Sequence, residues 1–335
     1  MLISLIIPVY NSGNHLRECL ESVRACPSQD AEFIIVNDGS TDSTPDICSE
    51  YKSMDKRFRV IDKQNTGVSE SRNMGMAAAL GEYIFFLDAD DYIDTAQWPA
   101  ILGYAENGEY DLVAFSYYDL FEDGTQKEEK FQETFDLSLA LLSTPLLNTC
   151  WGKLLRRETA EKNNLLFRKE LKTCEDAVFI LDFASCSGSY ALSGVCALYY
   201  RVNPDGVMRQ TGFDDKLRDF AALFGRRGEY LAANYSKALE AAMYRQFFSV
   251  ITDLYRTIAQ SRRIAEIRII IKHSMRNPSV TAIMRSTKAR CLSPFYKKCE
   301  FIMMKLRFCL CLAVYFKIKG KYRQHDSYMV LSQLM

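Results

Sequence analysis

The chain has 335 residues, with 42 basic and 42 acidic side chains and a hydrophobic share of 48%. That is the makeup of an ordinary globular protein, large enough for one α/β domain and a smaller appendage. Its eleven cysteines follow no repeated spacing and include no pair of Cys-x-x-Cys motifs, which excludes a disulfide framework and a zinc site and fits reduced thiols in a cytosolic protein.

Residues 3–9 form a continuous apolar run. No basic n-region precedes it and Tyr10-Asn11 replaces a cleavage site, so it reads as a buried strand rather than a signal peptide. Residues 14–24 are helical in pattern. Residues 32–36 are a second strand, ended by Asn37-Asp38-Gly39-Ser40, after which Asp42 or Ser43 caps a helix with Pro45 in its first turn. Residues 58–61 are a short third strand, and 68–80 a helix stopped by Gly81. Residues 83–87 are a fourth strand that runs straight into Asp88-Ala89-Asp90-Asp91. Past residue 105 the pattern loosens. Residues 111–116 read as a strand, 122–133 as a charged, solvated stretch, 197–202 as strand-like and 216–261 as helical. No apolar run reaches the ~18–20 residues that cross a bilayer.

Strands alternating with helices imply right-handed βαβ crossovers and a mostly parallel sheet. Ligands of such sheets bind beyond the carboxyl ends of the strands. Three of those ends carry the polar residues: Tyr10-Asn11, Asp38 and the acidic run at 88–91. Topology therefore directs all three toward one crevice.

Closely spaced carboxylates repel one another, so they require a cation or a solvated surface. Mg²⁺ and Mn²⁺ take one or two carboxylates and complete their shell with substrate phosphates. An Asp-x-Asp at a strand end suits that arrangement, one carboxylate reaching the metal and the other the ribose; a solvated turn is the competing explanation. Asp38, where a strand hands over to a helix, offers an acceptor for the N3–H of uracil, against the competing explanation of a helix cap.

Four segments now stand in order: Ile6-Ile7-Pro8-Val9-Tyr10-Asn11, Val36-Asn37-Asp38-Gly39-Ser40-Thr41-Asp42, Gly67-Val68-Ser69-Glu70-Ser71-Arg72-Asn73-Met74-Gly75 and Leu87-Asp88-Ala89-Asp90-Asp91. Together they resemble the nucleotide-binding half of glycosyltransferase family 2, the inverting transferases of GT-A fold, in its bacterial polysaccharide-type form. The resemblance is close over the first ~100 residues. It continues more loosely through Trp151-Gly152-Lys153-Leu154, Cys174-Glu175-Asp176 and Tyr199-Tyr200-Arg201. It implies an α/β fold with a Rossmann-type, mixed and mostly parallel sheet flanked by helices. Residues 1–105 would be the nucleotide-sugar-binding half, 106–215 the acceptor half of the same domain, and 216–335 a helical C-terminal extension, basic from about 262.

The resemblance also implies roles. Pro8, Tyr10 and Asn11 line the base pocket, and Asp38 binds uracil. Arg72 lies beside the nucleotide or its phosphates, a role compatible with a salt bridge to the aspartates. Asp88 touches the ribose, Asp90 is the ligand of Mn²⁺ or Mg²⁺, and Asp91 assists at metal or sugar. Inverting transfer must also take the proton from the acceptor hydroxyl. Asp176 matches the family's base; the competing explanation is a helix-N-terminal acid paired with the dipole. Trp151, Lys153 and Glu175 fall near donor and acceptor, although a tryptophan also serves as core. Glu70 departs from the family, whose members often have alanine there. No Gln-x-x-Arg-Trp occurs, which favours single addition over a processive synthase.

The glycine motifs of dehydrogenases and P-loop enzymes are absent. A nucleotidyltransferase, and a non-catalytic sugar-nucleotide or carbohydrate-binding protein of the same fold, remain as alternatives. The joint presence of Asp88, Asp90 and Asp176 favours the enzyme. Finally, residues 1–261 carry 26 basic against 39 acidic side chains, and residues 262–335 carry 16 against 3. Between 284 and 323 the basic residues interleave with large apolar ones, as in a helix lying on an anionic leaflet. Packing against the body or in a dimer is the competing explanation. No nucleic-acid motif accompanies the charge. The expectation is a cytoplasmic enzyme, peripheral on the inner face of the cell membrane, with a carbohydrate or lipid-linked acceptor.

Overall fold

The computed structural model describes residues 1–281 apart from 28, 132–135, 204–210, 262, 275 and 277–280, so the expected interfacial helix at 284–323 lies outside the described residues. Two compact units are present. Met1–Leu137 with Leu146–Gln210 form the first, and Ser138–Pro145 with the residues described from Thr211 onward belong to the second.

The strands are β1 (Ile3–Val9), β2 (Ala31–Asn37), β3 (Phe58–Asp62), β4 (Tyr83–Phe86), β5 (Tyr92–Ile93), β6 (Leu112–Leu120), β7 (Gln126–Glu129), β8 (Lys153–Arg156) and β9 (Tyr190–Arg201). The helices are α1 (Leu16–Arg24), α2 (Thr44–Met54), α3 (Val68–Ala78), α4 (Trp98–Asn107), α5 (Leu137–Ser143), α6 (Arg157–Lys162), α7 (Glu175–Cys186), α8 (Phe213–Ala233), α9 (Lys237–Ser261) and α10 (Ile264–Ser274). The strands form one sheet of order β3-β2-β1-β4-β8-β6-β9-β5, with β7 beside β6. β1 to β4 are parallel, β8 runs against β4 and β6, β9 runs with β6, and β5 runs against β9. This is the expected mixed, mostly parallel sheet.

β1 and β2 are buried along their whole length, which is why they read as unbroken apolar runs. Pro8 pairs with Val36 on one side, while the pairing of β1 with β4 ends at Ile6, so its missing N–H costs no ladder bond. Two stretches gain detail. The stretch at 122–133 contains β7, joined to β6 by a turn in which Gly124 has a φ of 81° and Phe121 N–H donates to the Thr125 carbonyl. Its charged side chains are solvated at a sheet edge. The helical stretch at 216–261 is two helices, and Ser236 opens the second by accepting the Leu239 N–H on its hydroxyl.

Gly81 also acts differently from the expected helix stop. α3 ends at Ala78, and Ala79 is already extended. A Cβ on Gly81 would lie 2.6 Å from the Ser4 nitrogen and 2.7 Å from the Ile3 carbonyl carbon, so the glycine is required by close approach to β1. Gly81→Ala is therefore expected to destabilise the protein by about 1–3 kcal/mol, as overpacking does, read as a lower urea midpoint.

Candidate active site

The loops after β1 and β2 are tied together. Asn11, at φ 49°, donates its N–H to Ser40 Oγ and accepts from Thr41 N at 2.8 Å; Ser12 N donates to Thr44 Oγ1 at 2.8 Å and Gly13 N to Asp42 Oδ2 at 3.1 Å. Tyr10 is exposed beside them and Pro8 is buried behind them. Asp38 is buried. Its Oδ1 accepts from Thr66 N at 2.9 Å and from Lys63 Nζ, and its Oδ2 from Gly67 N at 2.9 Å. A carboxylate has about four acceptor positions, so one direction remains for a ligand. Lys63 lies at the carboxyl end of β3, where the strand-end rule points, although the sequence reading passed it over.

The acidic run divides into three environments. Asp88 Oδ1 accepts from Arg72 at 3.0 Å; burial pushes its carboxyl up to about 6, against the pull of Arg72. Asp91 is 1% exposed. Its Oδ1 accepts the Arg201 N–H at 2.7 Å, its Oδ2 has no partner among the described residues, and burial beside Asp90 and Asp88 raises it strongly. Asp91 thus bolts β9 beneath the run. Arg201 adds a bond from Nε to the Asp90 carbonyl and a salt bridge to Glu18, contacts the sequence reading did not find. Asp90 is half-buried and raised by burial, and among the described residues no side chain hydrogen-bonds to it.

Arg72 joins this run to the start of α7. Its guanidinium is buried and donates to Asp88, Glu175 and Asp176, with Phe167 at 5.4 Å beneath it. Asp176 Oδ2 also accepts the Cys150 N–H at 3.2 Å. Burial, then the neighbouring Asp176, pushes Glu175 up to about 8. Burial thus favours the protonated form of Glu175. Cys174, which precedes it, holds a φ of 62°, a left-handed conformation uncommon for a side-chain-bearing residue, and this turn presents both acids at the N-terminus of α7. Trp151 is 3% exposed and stacked on Tyr200 at 5.1 Å. Lys153 is buried below it, donating to Thr149 Oγ1 and the Trp151 carbonyl, and burial lowers it to about 8.

Among the described residues no three His, Cys, Asp or Glu side chains gather as a complete metal cage. The fit is of another kind. Asp90 offers a carboxylate without a side-chain partner next to paired Asp88, as required where substrate phosphates complete the shell of a hard cation.

Comparison with known proteins gives the family and the fold. The profile named Glycosyl transferase family 2 matches residues 4–163. A protein of Bacillus subtilis (strain 168) named as a glycosyltransferase, EpsH, is 35% identical over 244 residues, 69% of this chain and 70% of its own length. The solved structure of S. aureus TarS 1-349 in complex with UDP-GlcNAc has a similar fold, with a TM-score of 0.73 at 19% identity over 97% of this chain and 93% of that one. The mannosyltransferase PcManGT from Pyrobaculum calidifontis, in complex with GDP-Man and Mn²⁺, superposes with a TM-score of 0.52 at 14% identity, over 95% of this chain and 87% of its own. The fold is of GT-A type. The chain belongs to glycosyltransferase family 2. Its reaction class is glycosyl transfer.

Proposed function

We propose that the chain is a metal-dependent, inverting, non-processive glycosyltransferase that uses a UDP-linked donor and a carbohydrate or lipid-linked acceptor hydroxyl. Arg72 is the observation that carries this reading: one buried guanidinium bonds both Asp88 of the donor run and Asp176 at the start of α7, so the donor carboxylates and the base share one cluster. In this reading residues 1–105 hold the nucleotide sugar, residues 106–215 the acceptor, and residues 216–335 form the extension. The tail's charge fits attachment to the anionic inner face of the cell membrane. Among the described residues no helix is long and apolar enough to cross a membrane.

Each residue then has a task. Pro8, Tyr10 and Asn11 border the base, and the open direction of Asp38 accepts from uracil. Asp88 meets the ribose while Arg72 orients it. Asp90 holds Mn²⁺ or Mg²⁺, and with that ion bound the site gains neutralisation of the departing diphosphate. Asp91 supports the run from below, and Trp151 and Lys153 form the floor near the acceptor. Asp176 takes the proton of the acceptor hydroxyl as its oxygen attacks the anomeric carbon opposite the nucleoside diphosphate. The glycosidic bond forms, the bond to the diphosphate breaks, and its electrons leave with the diphosphate. Glu175 stays protonated beside Asp176.

The test is a thermal-shift series with UDP and Mn²⁺, followed by donor turnover. Wild type is expected to gain about 2.7 kcal/mol of stability at a hundredfold excess over Kd, and Asp90→Ala to lose the Mn²⁺-dependent part. Binding without turnover of any UDP-, GDP- or other donor sugar, with any acceptor, would leave the non-catalytic binding protein as the correct reading.

A further inference from the structure

β6 carries a second polar pair that this chemistry leaves unused. Tyr117 and Asp119 are two residues apart on one strand, so they share a face of the sheet. Both are buried, at 6% and 4% exposure. The Tyr117 ring meets Trp151 edge-on at 4.7 Å and Tyr200 at 6.2 Å. Asp119 stands opposite Tyr200 in the register of β6 and β9. Tyr200 feels the charges of Asp91, Asp90 and Asp88, so one patch of sheet leads from the donor carboxylates to Asp119.

Neither the Asp119 carboxylate nor the Tyr117 hydroxyl has a hydrogen-bond partner among the described residues. Burial pushes Asp119 up to about 6, helped by Glu129, which stands across from Tyr117 in the β6–β7 register. The polar tips of Tyr117 and Asp119 are not sealed in, since the enclosed side-chain atoms without a partner among the described residues belong to Glu70, Arg72, Asp91 and Trp98, so a ligand can still reach them. An acceptor and a donor on one face of the strand, neither paired with a described residue, suit a group that donates to one and accepts from the other. A hydroxyl does both. A phosphate or carboxylate does not suit, because Asp119 and Glu129 make this face acidic; Lys127 is already paired with Glu129.

We propose that Tyr117 and Asp119 form a subsite for a neutral sugar or polyol residue of the acceptor, one hydroxyl of which donates to Asp119 and accepts from Tyr117. This rests on the transferase reading above and extends it to the acceptor.

Saturation-transfer NMR on the full chain with UDP present tests it, using methyl β-D-glucopyranoside as the neutral probe and D-glucose 6-phosphate as the anionic comparator. Wild type is expected to bind the neutral glycoside in preference. Asp119→Ala is expected to weaken it roughly tenfold or more and Tyr117→Phe, which removes only the hydroxyl, several-fold. Glu158→Gln, in an exposed salt bridge with Lys162, leaves it unchanged. Wild type and both variants keep the UDP thermal shift, which shows that they are folded. Equal saturation in wild type and both variants, as when water alone occupies the pair, overturns the subsite. So does preference for the phosphate, or no response to the glycoside. Loss of the UDP shift from wild type itself overturns the donor-site reading instead.

Discussion

Asp176→Asn is expected to lower kcat for sugar transfer by roughly 10²–10⁴-fold, the usual contribution of a positioned general base. The substitution keeps shape and hydrogen-bonding capacity: the asparagine carbonyl still accepts the Cys150 N–H, and Arg72 still has Glu175 and Asp88. What disappears is basicity. Because Asp176 has no part in holding the donor, the KM for the donor is expected to stay unchanged. Glu175 is a poor substitute near neutral pH, since burial still raises it after the charge of Asp176 is gone. Residual activity of the variant should therefore rise with pH as Glu175 ionises, at a lower pH than Glu175 ionises in wild type, because asparagine removes the charge of Asp176. Initial rates at saturating donor measure both effects. A loss under tenfold would remove Asp176 from the role of base.

The first half of the sheet was legible because strands buried on both faces leave a plain trace. β1 is bounded in sequence by the same residues, Ile3 and Val9, that bound it in space. The strand-end rule then picked out Asn11, Asp38 and the run at 88–91 before any contact was known. The contacts that make a site of them are of another order. Arg72 to Asp176 and Asp91 to Arg201 span 104 and 110 residues, and no local pattern encodes such pairs. The second half of the sheet was harder for a physical reason. β5 has two residues, β7 is a polar edge, and the first half of β9 alternates exposed and buried positions too weakly to show a period. Asp91 shows the limit of reading by motif. It continues the acidic run in sequence, yet it turns under the run and holds the backbone of β9.

Arg72→Leu is expected to cost about 3–5 kcal/mol of stability near pH 8, as removal of one member of a buried ion cluster does, and much less near pH 5. The cluster is one cation among three acids, with the guanidinium bonded to Asp88, Glu175 and Asp176 at once. Glu175 is raised from 4.5 to about 8 and Asp88 from 3.8 to about 6, both first by burial. Acids raised in the folded state bind more protons there than in the unfolded chain, so their contribution to stability declines as pH rises from about 4 to about 8. Arg72 opposes that decline by keeping the ionised forms tolerable. Without it the acids must stay protonated or repel, and the penalty grows with every proton withdrawn. Urea midpoints of wild type and variant at pH 5, 6.5 and 8 measure the slope. Arg72→Lys is expected to recover part of the loss at high pH, since it returns the charge without the fork that reaches three carboxylates. A loss of the same size at all three pH values would assign it to packing against Phe167 and not to charge.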